Sequence, residues 1–179
     1  DIIAGAQTGT GKTAAFGIPI LSKLIENPES AALILAPTRE LAAQILDVIR
    51  KLSSHTHHMT ISMLIGGANM QGQVRSLKKN PRIIVATPGR LMDHLQQKNL
   101  DLKNIGILVL DEADRLLDPA STFQTLREVP KILEAVKVSK KCQTLLFSAT
   151  LTGAVTGFFE GSEEPFIFRS ENSEFGTVE

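Results

Sequence analysis

A chain of 179 residues, 42% of them hydrophobic, suffices for one domain that buries about 70% of the surface its unfolded form exposes, and leaves no comfortable room for a second. Its 19 basic and 19 acidic residues cancel to a formal net charge of +0, which excludes recognition through a global field, so any nucleic-acid contact has to come from local basic placement. One cysteine, Cys142, excludes an internal disulfide framework; with no apolar run of ~18 residues and no signal-peptide pattern, an intracellular protein without a membrane partner is expected.

The sequence starts at Asp1 instead of methionine, with Ile2 and Ile3 already strand-like, and reads as a piece of something longer. The first apolar run gives way at Gly5 to Ala6, Gln7, Thr8, Gly9, Thr10, Gly11, Lys12 and Thr13, and a helix is expected from Gly11 to Ile25, interrupted near Pro19. A strand at Leu33 to Ala36 runs into Pro37, Thr38, Arg39 and Glu40. From Arg39 to Leu52 the residues Leu41, Ile45, Ile49 and Leu52 recur at helical spacing, with Thr38 as N-cap and Glu40 favoured by the dipole in the first turn. His55, His57 and His58 read as a solvated loop, since no cysteine or acid lies near them to complete a metal site. Ile61 to Ile65 is a strand ending in Gly66 and Gly67; a helix near Gln71 to Lys79 follows, and Lys78, Lys79 and Arg82 read as its solvated end in preference to an extension of a nucleic-acid path.

Ile83 to Ala86 is the next strand, ending in Thr87, Pro88, Gly89 and Arg90, with a helix at Leu91 to Gln97. The buried run from Ile105 to Leu110 ends in Asp111, Glu112, Ala113 and Asp114, and helices are expected at Glu112 to Leu117 and Thr122 to Val136. Leu145 to Phe147 ends in Ser148, Ala149 and Thr150. Beyond Leu151 the glycines at 153, 157 and 161 leave only a short, weak helix, then a strand at Phe166 to Phe168 and a frayed end. The domain is placed at residues 1–168, with 169–179 as a tail or the start of a linker. Alternating helices and doubly apolar strands define an α/β fold with a mostly parallel sheet covered on both faces. In such a sheet the strands point one way, so the six polar clusters share the edge where ligands bind.

The chemistry of that edge follows from its residue types. A glycine-rich turn between strand and helix lets backbone N–H groups face phosphates, Lys12 reach the β and γ phosphates, and Thr13 place its hydroxyl on Mg²⁺. Of Asp111 and Glu112, one carboxylate can hold the metal through its water shell, and the neighbouring one can orient and deprotonate the attacking water. Ser148 and Thr150 have no histidine or lysine partner to make them nucleophiles; hydroxyls at a strand end instead suit hydrogen bonding to the Asp114 carboxylate, or capping of the next helix. The Phe residues fall mostly at expected core positions and the chain has no Trp or Tyr, so no base-stacking platform is expected.

Together these motifs resemble the DEAD-box family of RNA helicases, over roughly Asp1 to Thr150. Ala6 to Thr13 is similar to the family's first motif, Pro37 to Gln44 to the next, Asp111 to Asp114 to the naming motif, and Ser148 to Thr150 to the third numbered motif. Asp118, Pro119 and Ala120 depart from the methionine-glycine-phenylalanine run common in the family. The resemblance implies a RecA-like phosphate-loop domain that uses ATP and Mg²⁺. It implies catalytic roles for Lys12, Asp111 and Glu112, and coupling of hydrolysis to strand separation through Asp114, Ser148 and Thr150. It also implies sequence-independent RNA contacts by Pro37, Thr38, Arg39, Gly66, Gly67, Thr87, Pro88, Gly89 and Arg90 along the sugar-phosphate backbone. A second RecA-like domain of the same parent would supply arginines that this chain lacks, so the piece, expected to be monomeric, would hydrolyse ATP hardly at all. Competing readings are a DNA-directed helicase or other phosphate-loop ATPase, and a non-catalytic RNA clamp that kept the fold.

Overall fold

The computed structural model describes residues 1–5, 11–56, 59–120, 125–137, 142–160 and 164–169. Seven strands are present among them: β1 (Ile2–Gly5), β2 (Ala31–Leu35), β3 (Ile61–Leu64), β4 (Ile83–Ala86), β5 (Ile105–Asp111), β6 (Gln143–Ser148) and β7 (Phe166–Arg169). They form one sheet in the order β3-β4-β2-β5-β6-β1-β7, with every pairing parallel. The connecting helices are α1 (Lys12–Glu26), α2 (Arg39–Leu52), α3 (Met70–Leu77), α4 (Pro88–Gln96), α5 (Ala113–Leu116), α6 (Thr125–Lys137) and α7 (Gly153–Thr156), the last running into a 3₁₀ turn at Gly157–Phe159.

The period of two along a strand divides the core. Leu33, Leu35, Ile84, Leu108 and Leu110 face one layer with Leu91 of α4 and Val129 and Ile132 of α6. Ala32, Ile34, Ile83, Val85, Ile107 and Val109 face the other, with Phe16, Ile20 and Leu24 of α1 and Ile45 and Ile49 of α2. Both faces of β2, β4 and β5 are dry, so truncating Leu33 or Ile34 to alanine costs about 2–5 kcal/mol.

Several elements differ from expectation for identifiable reasons. The α1 helix is continuous through Pro19; the buried stripe of Phe16, Ile20 and Leu24 spans the proline and holds both halves against the sheet. The α4 helix starts at Pro88, three residues earlier than its apolar stripe, because proline at N1 gives up only a donor that had no helical partner. Arg82 is not a solvated helix end: its guanidinium donates to the carbonyls of Ser30, Leu24 and Asn27 at 2.8, 2.6 and 3.0 Å, tying the end of α1 to the start of β4. Phe16, Phe147 and Phe159 are buried as expected, but Phe166 and Phe168 on the edge strand β7 are 69% and 54% exposed. They border an apolar groove beside Ile2 and Pro19. Arg169, expected to begin the tail at 169–179, instead closes β7 in register with Gly5, because the parallel pairing with β1 runs one residue further than the apolar stretch; residues 170–179, together with Ala6 to Thr10, His57 and His58, lie outside the described residues.

Candidate functional site

The carboxyl ends of β1, β2, β4, β5 and β6 lie side by side because the sheet is parallel, and the predicted residues follow each of them. At the α1 end of this rim, Gly11 has φ +77°, a left-handed turn natural to glycine, and delivers the chain into α1. Lys12 is the first helical residue and Thr13 the second. Lys12 Nζ lies 2.8 Å from Asp111 Oδ1, and both side chains are out of solvent, at 7% and 0% exposure. Asp111 Oδ1 also accepts from the Glu112 backbone N–H at 2.9 Å. Its other oxygen, Oδ2, is buried with no hydrogen-bond partner among the described residues. Burial pushes the Asp111 carboxyl above its ordinary range, against the opposing pull of the Lys12 ammonium.

Glu112 stands in the left-handed region at φ +50°, and its Oε2 accepts from Arg115 Nη1 at 2.7 Å. Asp114 is knotted to the end of β6. Its N–H donates to Ser148 Oγ at 3.1 Å, and Ser148 Oγ donates to the Thr150 carbonyl at 2.6 Å. Thr150 donates to Asp114 Oδ2 from both its N–H and its hydroxyl, at 3.1 and 2.8 Å. Thr150 thus meets the Asp114 carboxylate as expected, whereas the Ser148 hydroxyl meets the Asp114 backbone.

Further along the rim, Thr38 caps α2 by accepting from the Leu41 N–H at 3.2 Å. Arg39 Nη1 donates to the Gly66 carbonyl at 3.3 Å, and Arg90 Nη1 to the Ala68 carbonyl at 3.0 Å. Arg90 Nε lies 3.4 Å from Asp93 Oδ2. Gly67 has φ +76°, a left-handed turn that favours glycine, and a Cβ there would displace the Arg39 guanidinium from its present position. An open polar depression of about 470 Å³ joins Pro37, Thr38, Arg39, Gly66, Thr87, Gly89 and Arg90. It also admits Glu40 and Asp93, two acids absent from the expected set. Pro88 is buried at the start of α4 beside it. Arg115 was not anticipated, although its spacing of three from Glu112 on a helix start was a readable signal. Among the described residues no group of three or more His, Cys, Asp or Glu side chains is arranged to hold a metal ion alone, and no helix is long and apolar enough to cross a membrane.

The DEAD/DEAH box helicase family model matches residues 1–157 of the chain. The ATP-dependent RNA helicase CshA of Listeria monocytogenes is 46% identical over 152 residues, covering 84% of this chain and 28% of that protein. The ATP-dependent RNA helicase DRS1 of Candida albicans is 46% identical over 154 residues, covering 84% and 24%. Among solved structures, the yeast DEAD-box splicing factor Prp28 superimposes with a TM-score of 0.86 at 34% identity, over 98% of this chain and 42% of that one. The chain therefore belongs to the DEAD/DEAH box helicase family. It spans about a quarter of the length of those curated relatives.

Proposed function

We propose that this chain is the nucleotide-binding half of an ATP-dependent RNA helicase motor, which couples RNA-stimulated ATP hydrolysis to local separation of short duplexes. One observation supports the reading above all: Lys12 at the start of α1 and Asp111 at the end of β5, 99 positions apart in the sequence, meet at 2.8 Å on the sheet edge that also carries the arginines.

The partner-free Asp111 Oδ2 fits a position beside a hydrated cation, and Thr13 follows Lys12 in the same helical turn. Magnesium is typically held by one or two carboxylates plus substrate phosphates, so these two residues are the ones that would hold Mg²⁺, which would neutralise charge between the β and γ phosphates. Lys12 would exchange its contact with Asp111 for the phosphates, bringing a desolvated ammonium to them. Glu112 would orient and deprotonate the attacking water, its carboxylate steadied by Arg115 at 2.7 Å. The Asp114, Ser148 and Thr150 knot links the residues after β5 to the end of β6, a route by which a change at the phosphates reaches the rest of the domain.

RNA would lie across the depression of Arg39, Gly66, Thr87 and Arg90, held by phosphate and sugar contacts that carry no base information. Adenine preference over guanine rests on the family alone. The reading places the protein inside the cell, acting with a second RecA-like half that supplies the arginines worth about 10³ to 10⁵ in rate; this chain alone would turn over ATP hardly at all. In the full-length protein, Glu112→Gln is expected to keep nucleotide binding and stop turnover, with RNA and not DNA stimulating the unaltered protein. Normal phosphate release by Glu112→Gln would remove the base assignment, and equal stimulation by DNA would favour a DNA-directed motor.

A further inference from the structure

Behind the Gly66–Gly67 loop runs a buried polar chain that the sequence analysis did not anticipate. Gln73 on α3 and His94 on α4 are 6% and 0% exposed. Gln73 Nε2 donates to the Ile65 carbonyl at 3.0 Å, which leaves its Oε1 as acceptor, 3.0 Å from His94 Nε2. His94 Nε2 must therefore carry the proton. The other ring nitrogen, Nδ1, is 3.1 Å from Asn99 Nδ2, which also reaches Gln97 Oε1 at 3.2 Å, so Asn99 donates and Nδ1 accepts. Every group in the chain has one consistent direction, and the ring is neutral. Burial, and then the Arg90 charge, hold the His94 pKa below its ordinary value and keep it so.

Three helices thus grip three carbonyls of one short loop: Gln73 of α3 holds Ile65, Arg39 of α2 holds Gly66, and Arg90 of α4 holds Ala68. A trans peptide points its N–H opposite its C=O, so turning these carbonyls toward the side chains turns the N–H groups of Gly66, Gly67 and Asn69 the other way. Arg39 is exposed and phosphates can draw it off; Gln73 is buried and cannot leave.

Resting on the RNA rim argued above, we propose that Gln73, oriented by His94, is a positioning residue for RNA binding: it fixes the Ile65–Gly66 peptide so that the Gly66 N–H is preset for a phosphate oxygen. Preorganised donors lose less on binding than donors that must first be ordered. The test uses the full-length protein, a short single-stranded RNA and RNA-stimulated ATPase kinetics. Gln73→Met, of similar shape, should raise the RNA concentration for half-maximal ATPase about tenfold, while kcat at saturating RNA and KM for ATP stay within about twofold. Gln73→Glu, which faces the Ile65 carbonyl with an acceptor, should raise it further and supplies the reading if the methionine variant does not fold. His94→Phe should mimic Gln73→Met, and His94→Gln, which restores an N–H donor, should recover most of the loss. An unchanged half-saturation in either folded Gln73 variant, or a fall in kcat without that shift, would overturn the proposal. Arg39→Ala and Arg90→Ala separate the two levels. If they raise half-saturation and the Gln73 variants do not, only the positioning role fails; if none of them does, the rim itself is misplaced.

Discussion

At the α1–β5 end of the rim, Lys12 and Asp111 are both out of solvent and in contact at 2.8 Å, whereas at the α2–α4 end Arg39 is exposed, Arg90 is half-buried, and both hold backbone carbonyls. The first arrangement removes charges from water and matches them, so each partner depends on the other. Breaking such a pair strands a charge in low dielectric, and the loss falls on stability and chemistry together. The second keeps its charges within reach of water and anions, so losing one changes what is bound more than whether the chain folds.

Lys12→Ala should break the comparison hardest. It is expected to abolish ATP turnover in the full-length protein and to lower stability by about 3 kcal/mol in thermal melts near pH 8. Asp111 already has a raised pKa, and without Lys12 it rises further. The folded variant then binds a proton more tightly than the unfolded chain, so its deficit should shrink as pH falls toward about 5. A deficit independent of pH would mean that Asp111 is not the stranded partner. Ser148→Ala comes next. It leaves the Asp114 N–H without its 3.1 Å acceptor beside a fully buried position, at a cost of about 1–3 kcal/mol by denaturant unfolding.

On the other side of the contrast, Arg39→Ala and Arg90→Ala should each leave the melting curve nearly unmoved. Each should reduce the slope of log affinity against log salt for single-stranded RNA by about 0.7. Large melting shifts with unchanged salt slopes would put the arginines in the structural class with Lys12. The smallest effect belongs to His94. Its pKa is lowered on folding from 6.5. Below pH 6.5 the unfolded chain therefore takes up the proton first, so stability is full above that pH and declines as pH falls through it. His94→Gln should flatten that part of the stability profile.

The same contrast explains what was legible in the sequence. The strands were, because β2, β4 and β5 are buried on both faces and read as unbroken apolar runs. The α2 helix and its Thr38 cap were, because stripe and cap are local signals. Strand order was not, since nothing in a run of Ile, Leu and Val names its neighbour. Continuity through Pro19 comes from tertiary burial overriding a local penalty. Gln73 and His94 stayed hidden because a polar residue on an amphipathic helix looks solvated until its partners arrive from other elements, here the Ile65 carbonyl and Asn99. Thr150 was foreseen against Asp114, but the Ser148 hydroxyl went to a backbone N–H, a choice made by the approach of β6 to the start of α5.

Glu112 holds a backbone twist of φ +50° that a side-chain-bearing residue adopts at a cost of about 1 kcal/mol and glycine adopts freely. Glu112→Gly would relax that twist while surrendering only an ion pair to the exposed Arg115, so its heat resistance should match or exceed the parent's while its turnover disappears. On the catalytic role proposed for Glu112, selection for robustness alone would drift toward an inert enzyme at this residue, and selection for work done would keep the acid in place.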